Sequence, residues 1–61
     1  EYLEKAINQL PDGYRTVFVM VEVEGYPHKE IAKMLNISEG TSKSQLFHAK
    51  KKLRSILESY D

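Results

Sequence analysis

The chain is 61 residues long, with nine Lys and Arg against nine Asp and Glu and no cysteine. A chain of this size buries only about 60% of its unfolded surface, which suffices for one modest core and leaves no room for a large catalytic cleft, so an enzyme is not expected. The absence of cysteine excludes a disulfide scaffold, a Cys-based zinc finger and a thiol nucleophile, and it suits a reducing intracellular compartment.

Pro11, Gly25, Pro27 and Asn36 divide residues 1–61 into four helical segments of unequal length, within a single domain expected to be cut from a longer protein. In the first segment Leu3, Ala6, Ile7 and Leu10 fall at helical spacing, and Pro11 ends it by disfavouring helix in the preceding residue. Asp12 is predicted to cap the next helix. Residues 14–24 are locally ambiguous, because Val17, Val19, Val21, Val23 and Phe18 favour a strand and residues 21–24 alternate. No other segment offers a pairing partner, and a lone strand leaves its backbone unsatisfied, so the expectation is a buried helix closed by Gly25 at positive φ.

The third helix is predicted from Pro27 or His28 to Leu35, with Ile31, Met34 and Leu35 facing inward and His28 exposed at its start. Asn36 tolerates the left-handed conformation, Ile37 is a buried turn residue, and Ser38 is the next N-cap. The fourth helix runs to about Ser59, placing Leu46, Ala49, Leu53, Ile56, Leu57 and Tyr60 on one stripe. The fold class expected is all-α, a small four-helix bundle.

Charge is unevenly spread along the chain. Residues 1–30 hold three cations against six carboxylates, and residues 31–61 reverse the ratio. Between Gly40 and Leu57 lie five cations and no carboxylate, which is either a solvated basic face or a surface for a polyanion. A short helix, a tight turn and a longer helix with a basic outer face make a helix-turn-helix, whose second helix enters the major groove of DNA. Ala32 stands where the two helices would cross.

With the Leu46 stripe inward, the opposite face of the last helix presents Ser44, His48, Lys51 and Ser55, flanked by Lys43, Phe47 and Arg54 on one edge and by Gln45 and Lys52 on the other. These hydroxyl, amide, imidazole and amine groups are of the kinds that read base edges and clasp phosphates. Thr41 and the free N–H groups of the first turn suit a phosphate at the positive end of the helix dipole. Phe47 either touches a thymine methyl group or folds back onto the shoulder of the core. Ser42 lies on the buried stripe, where its hydroxyl is expected to bond back to a carbonyl. The two histidines, without cysteine, do not suggest a transition-metal site, and Ser44 and His48 lack the third group a catalytic triad needs. No cofactor, small-molecule substrate or membrane partner is expected.

Three blocks, Leu10-Pro11-Asp12-Gly13-Tyr14-Arg15, Glu24-Gly25-Tyr26-Pro27-His28-Lys29-Glu30-Ile31-Ala32 and Ile37-Ser38-Glu39-Gly40-Thr41-Ser42-Lys43-Ser44-Gln45-Leu46, followed by Ala49-Lys50-Lys51-Lys52-Leu53, resemble region 4 of a bacterial sigma factor. Within the sigma-70 family the resemblance is narrower, to the extracytoplasmic-function group. It implies a cytoplasmic four-helix domain that recognises the minus-35 element of double-stranded promoter DNA and docks on the RNA polymerase β-subunit flap, with an anti-sigma factor as a further partner. It implies base-edge or nearby phosphate contacts for Lys43, Ser44, Gln45, Phe47 and His48, and backbone contacts for Thr41 and Lys50; Lys51 joins them from the outward face. The chain departs from the family pattern in lacking arginine near Gln45 and His48, an apolar β-branched residue at Ser42, and a capping Ser or Thr at Pro27. Without those arginines, bidentate guanine contacts do not come from these positions. Two rival readings remain at this level: a LuxR-type helix-turn-helix output domain, and a module that chiefly docks on polymerase or an anti-sigma factor through its acidic front half.

Overall fold

A computed structural model describes residues 1–60; Asp61, counted in the charge balance, lies outside the described residues. The chain forms four helices: α1 (Tyr2–Asn8), α2 (Asp12–Phe18), α3 (His28–Leu35) and α4 (Glu39–Glu58), with α2 continued by a π-helical turn, Val19–Val23. At 1.5 Å per residue α4 accounts for about 30 Å, most of the 37 Å long axis of the molecule. The other helices pack around it. No helix among the described residues is long and apolar enough to cross a membrane.

The inward face of α1 is Ala6 and Ile7, followed by Leu10 just beyond the helix, while Leu3, also expected inside, is half exposed. Arg15 fastens the end of α1 to α2. Its guanidinium donates to the carbonyls of Asn8 at 3.2 Å and Leu10 at 3.4 Å, satisfying acceptors that a helix end leaves open. Asp12 does not cap α2 as expected. The N-cap position falls to Pro11, and Asp12 enters the first turn, where its carboxylate pairs with Arg15 and its carbonyl accepts from the Thr16 hydroxyl at 2.8 Å.

The valine-rich stretch is helical, as its lack of a strand partner required. Val17, Phe18 and Met20 are buried, but the burial expected through residue 24 stops short, since Val23 and Glu24 are exposed. An unbroken α-helix would carry residue 24, seven positions after Val17, back onto the buried stripe. The wider turn, closed by the Glu24 N–H on the Val19 carbonyl at 2.9 Å, rotates that carboxylate outward. Gly25 then reverses the chain at φ 79°, in the left-handed region that glycine enters without penalty.

Two apolar clusters hold the helices. One gathers Ala6, Leu10, Phe18, Ala49 and Leu53, with Ile7, Tyr14, Leu46, Ile56 and Leu57 packed against it. The other gathers Val17, Met20 and Ile31, with Val21, Leu35 and Leu46 around it. Leu46 belongs to the margin of both, so α4 is the common wall. Ile31 is fully buried as expected and Leu35 and Ile37 are half-buried, but Met34 points outward at 52% exposure. At the chain ends the Tyr2 and Tyr60 rings stack at 5.1 Å, and the Gln9 amide donates to the Tyr60 hydroxyl at 2.7 Å.

Candidate nucleic-acid interface

The helix-turn-helix is built by α3, a tight turn and α4. Asn36 adopts φ 56° and ψ 49°, the left-handed conformation its short polar side chain tolerates. The Ile37 N–H then closes on the Ala32 carbonyl at 2.9 Å, the six-to-one bond that terminates a helix in this way. Ser38 caps α4, its Oγ accepting from the Thr41 N–H at 2.9 Å and donating to the Thr41 hydroxyl at 2.9 Å. The Thr41 N–H is therefore committed to the cap. Its hydroxyl hydrogen, however, stays free to donate outward.

One side-chain hydrogen bond joins the two helices. His28 Nδ1 and Ser42 Oγ lie 2.7 Å apart, with Ser42 fully buried and His28 half-buried. The hydroxyl expected to turn back to its own helix bonds across the junction instead, and the histidine expected to be exposed is drawn inward to meet it. Pro27 leaves α3 without a side-chain cap, so the imidazole on the first helical residue has no competing capping partner beside it.

The outward face of α4 is arranged as its periodicity required. Thr41, Lys43, Ser44, Phe47, His48, Lys51, Lys52 and Ser55 are all exposed. Phe47 is 64% exposed and does not fold onto the core; its ring meets His48 edge-on at 5.4 Å. Tyr14, which the periodicity of α4 alone does not reveal, reaches from α2 to stack on His48 at 5.9 Å, steadying the imidazole between two rings. Tyr14, His48, Lys51, Lys52 and Ser55 together line a shallow cleft beside the outer face.

Two of the residues named from sequence are placed differently. Lys50 forms an ion pair with Glu22 at 3.2 Å, which draws its amine toward the π-helical turn. Gln45 is half-buried, turned between Gly13 on α2 and Leu35 and Ile37 at the turn. The arrangement presents cations, hydroxyls and aromatic edges on a convex helix, which is the form of a groove reader.

The fold and this face define a helix-turn-helix DNA-binding domain. Residues 1–53 match the family model for sigma-70, region 4. The chain is 34% identical over 56 residues to the ECF RNA polymerase sigma factor SigM of Bacillus subtilis, covering 92% of this chain and 34% of that protein. It is 36% identical over 55 residues to the ECF RNA polymerase sigma factor SigW of the same organism, covering 90% and 29% respectively. The RNA polymerase sigma-H factor of Pseudomonas aeruginosa is 30% identical over 56 residues, covering 92% and 29%. The chain thus spans about a third of the length of these relatives. It belongs to the sigma-70 region 4 family, a family of transcription initiation factors rather than enzymes.

Proposed function

We propose that this domain recognises the minus-35 element of promoter DNA by laying the first turns of α4 in the major groove, within a sigma factor bound to RNA polymerase in the cytoplasm. The observation that carries the reading is the outer face of α4, where exposed Lys43, Ser44, Phe47, His48 and Lys51 lie on a helix whose entry is fixed by the Asn36 turn and the Ser38 cap. Ser44 and His48 supply base-edge hydrogen bonds, Phe47 an apolar edge for a thymine methyl group, and Lys43, Lys51 and the Thr41 hydroxyl phosphate contacts. Gln45 joins the readers only by turning outward, and Lys50 contacts the backbone only by leaving Glu22.

The acidic front half suits docking on the polymerase β-subunit flap, or on an anti-sigma factor. Exposed Glu22, Glu24, Val23 and Tyr26 lie together around the end of α2 and give that side both charge and apolar surface.

The test is salt-dependent binding to duplexes carrying candidate minus-35 elements, with Lys43→Ala and Lys51→Ala beside the parent. With about four phosphates engaged, log K falls with log salt at a slope near roughly −3.6, and each substitution reduces its magnitude by about one. Binding with that slope but no sequence preference would reduce α4 to a basic face. No binding at low salt would leave docking as the chief role.

A further inference from the structure

Gln45 shares a strip of α4 with Thr41, His48 and Lys52, at the three- and four-residue spacings that align side chains on one helix face. Those three are exposed, and Gln45 alone is turned in. Its amide lies flat over Gly13 in the first turn of α2, with Oε1, Nε2 and Cδ between 3.7 and 3.9 Å from where a Cβ on Gly13 would stand. Thr16, Val17, Leu35 and Ile37 complete the seat. Oε1 is sealed from solvent and accepts no hydrogen bond, the one buried side-chain polar atom among the described residues left so.

A buried amide oxygen without a donor has given up water and received nothing in return. Shape and apolar contact therefore hold the inward position, against the cost of the orphaned acceptor. The seat has no wall of large side chains on the Gly13 side, and the same strip of helix is open above and below at Thr41 and His48. An outward position along those exposed neighbours would return the orphaned oxygen to a donor.

We propose that Gln45 is a two-position reader, parked over Gly13 in the free domain and swung outward on duplex DNA to recognise adenine. There Oε1 accepts from the adenine N6–H and Nε2 donates to N7, so both halves of the amide are paired. A ligand shifts such an equilibrium only by interacting differently with its two positions. Adenine does so by supplying the donor that the parked oxygen lacks. This inference rests on the promoter-reading role proposed above.

The experiment measures binding of the parent and Gln45→Ala to a preferred duplex and to every single base-pair change within it, with thermal melting of both proteins. The expected result is loss of discrimination at one A·T pair, by roughly ten- to a hundredfold, with the other positions unchanged. Replacing that adenine by 7-deazaadenine, which lacks the N7 acceptor, weakens the parent and leaves Gln45→Ala unaffected. The melting temperature of the variant changes little, because loss of the contact over Gly13 is offset by removal of the unpaired acceptor. Uniform weakening on all duplexes, or a clear fall in melting temperature with the base profile intact, would show that Gln45 serves only as packing and would overturn the inference. A parent without preference among duplexes would overturn the promoter reading itself, a result distinguishable because it appears before any substitution.

Discussion

The bond between His28 and Ser42 makes the sharpest claim on stability, because it is the one side-chain hydrogen bond found between the two helices of the DNA-binding motif among the described residues. Ser42 is completely buried and His28 half-buried. In Ser42→Ala the imidazole returns to water, so the loss is the net value of one hydrogen bond, about 1 kcal/mol. In His28→Ala the buried hydroxyl is stranded, a loss of about 1–3 kcal/mol unless it turns back to the Ser38 carbonyl one turn earlier. The double variant strands nothing. Its loss should fall short of the two single losses added together by about 1 kcal/mol, the coupling expected of side chains in direct contact.

For a domain of this size each kcal/mol moves the melting temperature by roughly 4–8 °C, which is within reach of thermal unfolding followed by circular dichroism on all four proteins. Ser42→Val supplies a further arm. At a site with no free surface, the extra methyl groups should cost about 1–3 kcal/mol through overpacking, besides the lost bond. Additive single losses, with coupling below about 0.3 kcal/mol, would refute the reasoning and reduce the 2.7 Å contact to proximity without energetic weight.

The remaining expectations concern the turn, the ion pair and the exposed ring. Asn36→Gly should change stability by only a few tenths of a kcal/mol, whereas Asn36→Ala should lose about 1 kcal/mol or more, because φ 56° is strained for a residue with a Cβ and no local hydrogen bond; equal denaturation midpoints would contradict this. Glu22→Gln should move stability by less than about 0.5 kcal/mol, since the pair with Lys50 is solvent-exposed. The same substitution should tighten DNA binding at low salt by freeing the amine, an effect absent from Glu22→Gln combined with Lys50→Ala. Phe47→Ala should abolish the difference in affinity between duplexes carrying thymine and uracil at the contacted position, and an unchanged difference would remove Phe47 from the groove.

Much of the fold was legible because its signals were local. Pro11, Gly25, Asn36 and Ser38 mark boundaries through their own backbone or capping chemistry, and each marks a boundary in the structure. The 20-residue α4 announced its inward stripe by periodicity, with Ala49 and Leu53 buried and Leu46, Ile56 and Leu57 half-buried, whereas Tyr60, expected on the same stripe, is exposed beyond the helix end. Misplacements arose where tertiary contact outweighed local preference. Asp12 has the chemistry of a cap, but Arg15 holds its carboxylate three residues along. Met34 lies at the right helical spacing for the core, but Ile31 and Leu35 already fill the inner edge of so short a helix. Within the candidate site, outward placement of Ser44, Phe47, His48 and Lys51 followed from helix geometry. The inward turn of Gln45 and the stacking of Tyr14 on His48 depend on where α2 crosses α4, which no spacing within α4 encodes.

That crossing also explains how so small a domain holds the proposed reading surface in place. The inner side of the reading half of α4 consists of Ser42, Leu46 and Ala49, of which Ser42 and Ala49 are small and fully buried. Small residues let α2 and α3 approach closely, so the outer face is positioned by helix contacts rather than by long side chains. Leu46 completes both clusters at once, and displacement of either α2 or α3 therefore moves the same turn of α4 that carries Ser44, Phe47 and His48. At the α3 junction Pro27 leaves the helix start without a side-chain cap and Ser42 is a buried polar residue, and the His28 bond connects the two features. An uncapped helix start leaves the imidazole free, and a buried serine gives it an anchor. The junction is thereby held by a directional bond in a place where an apolar side chain would hold it by packing, fixing the angle of the reading helix as well as its distance.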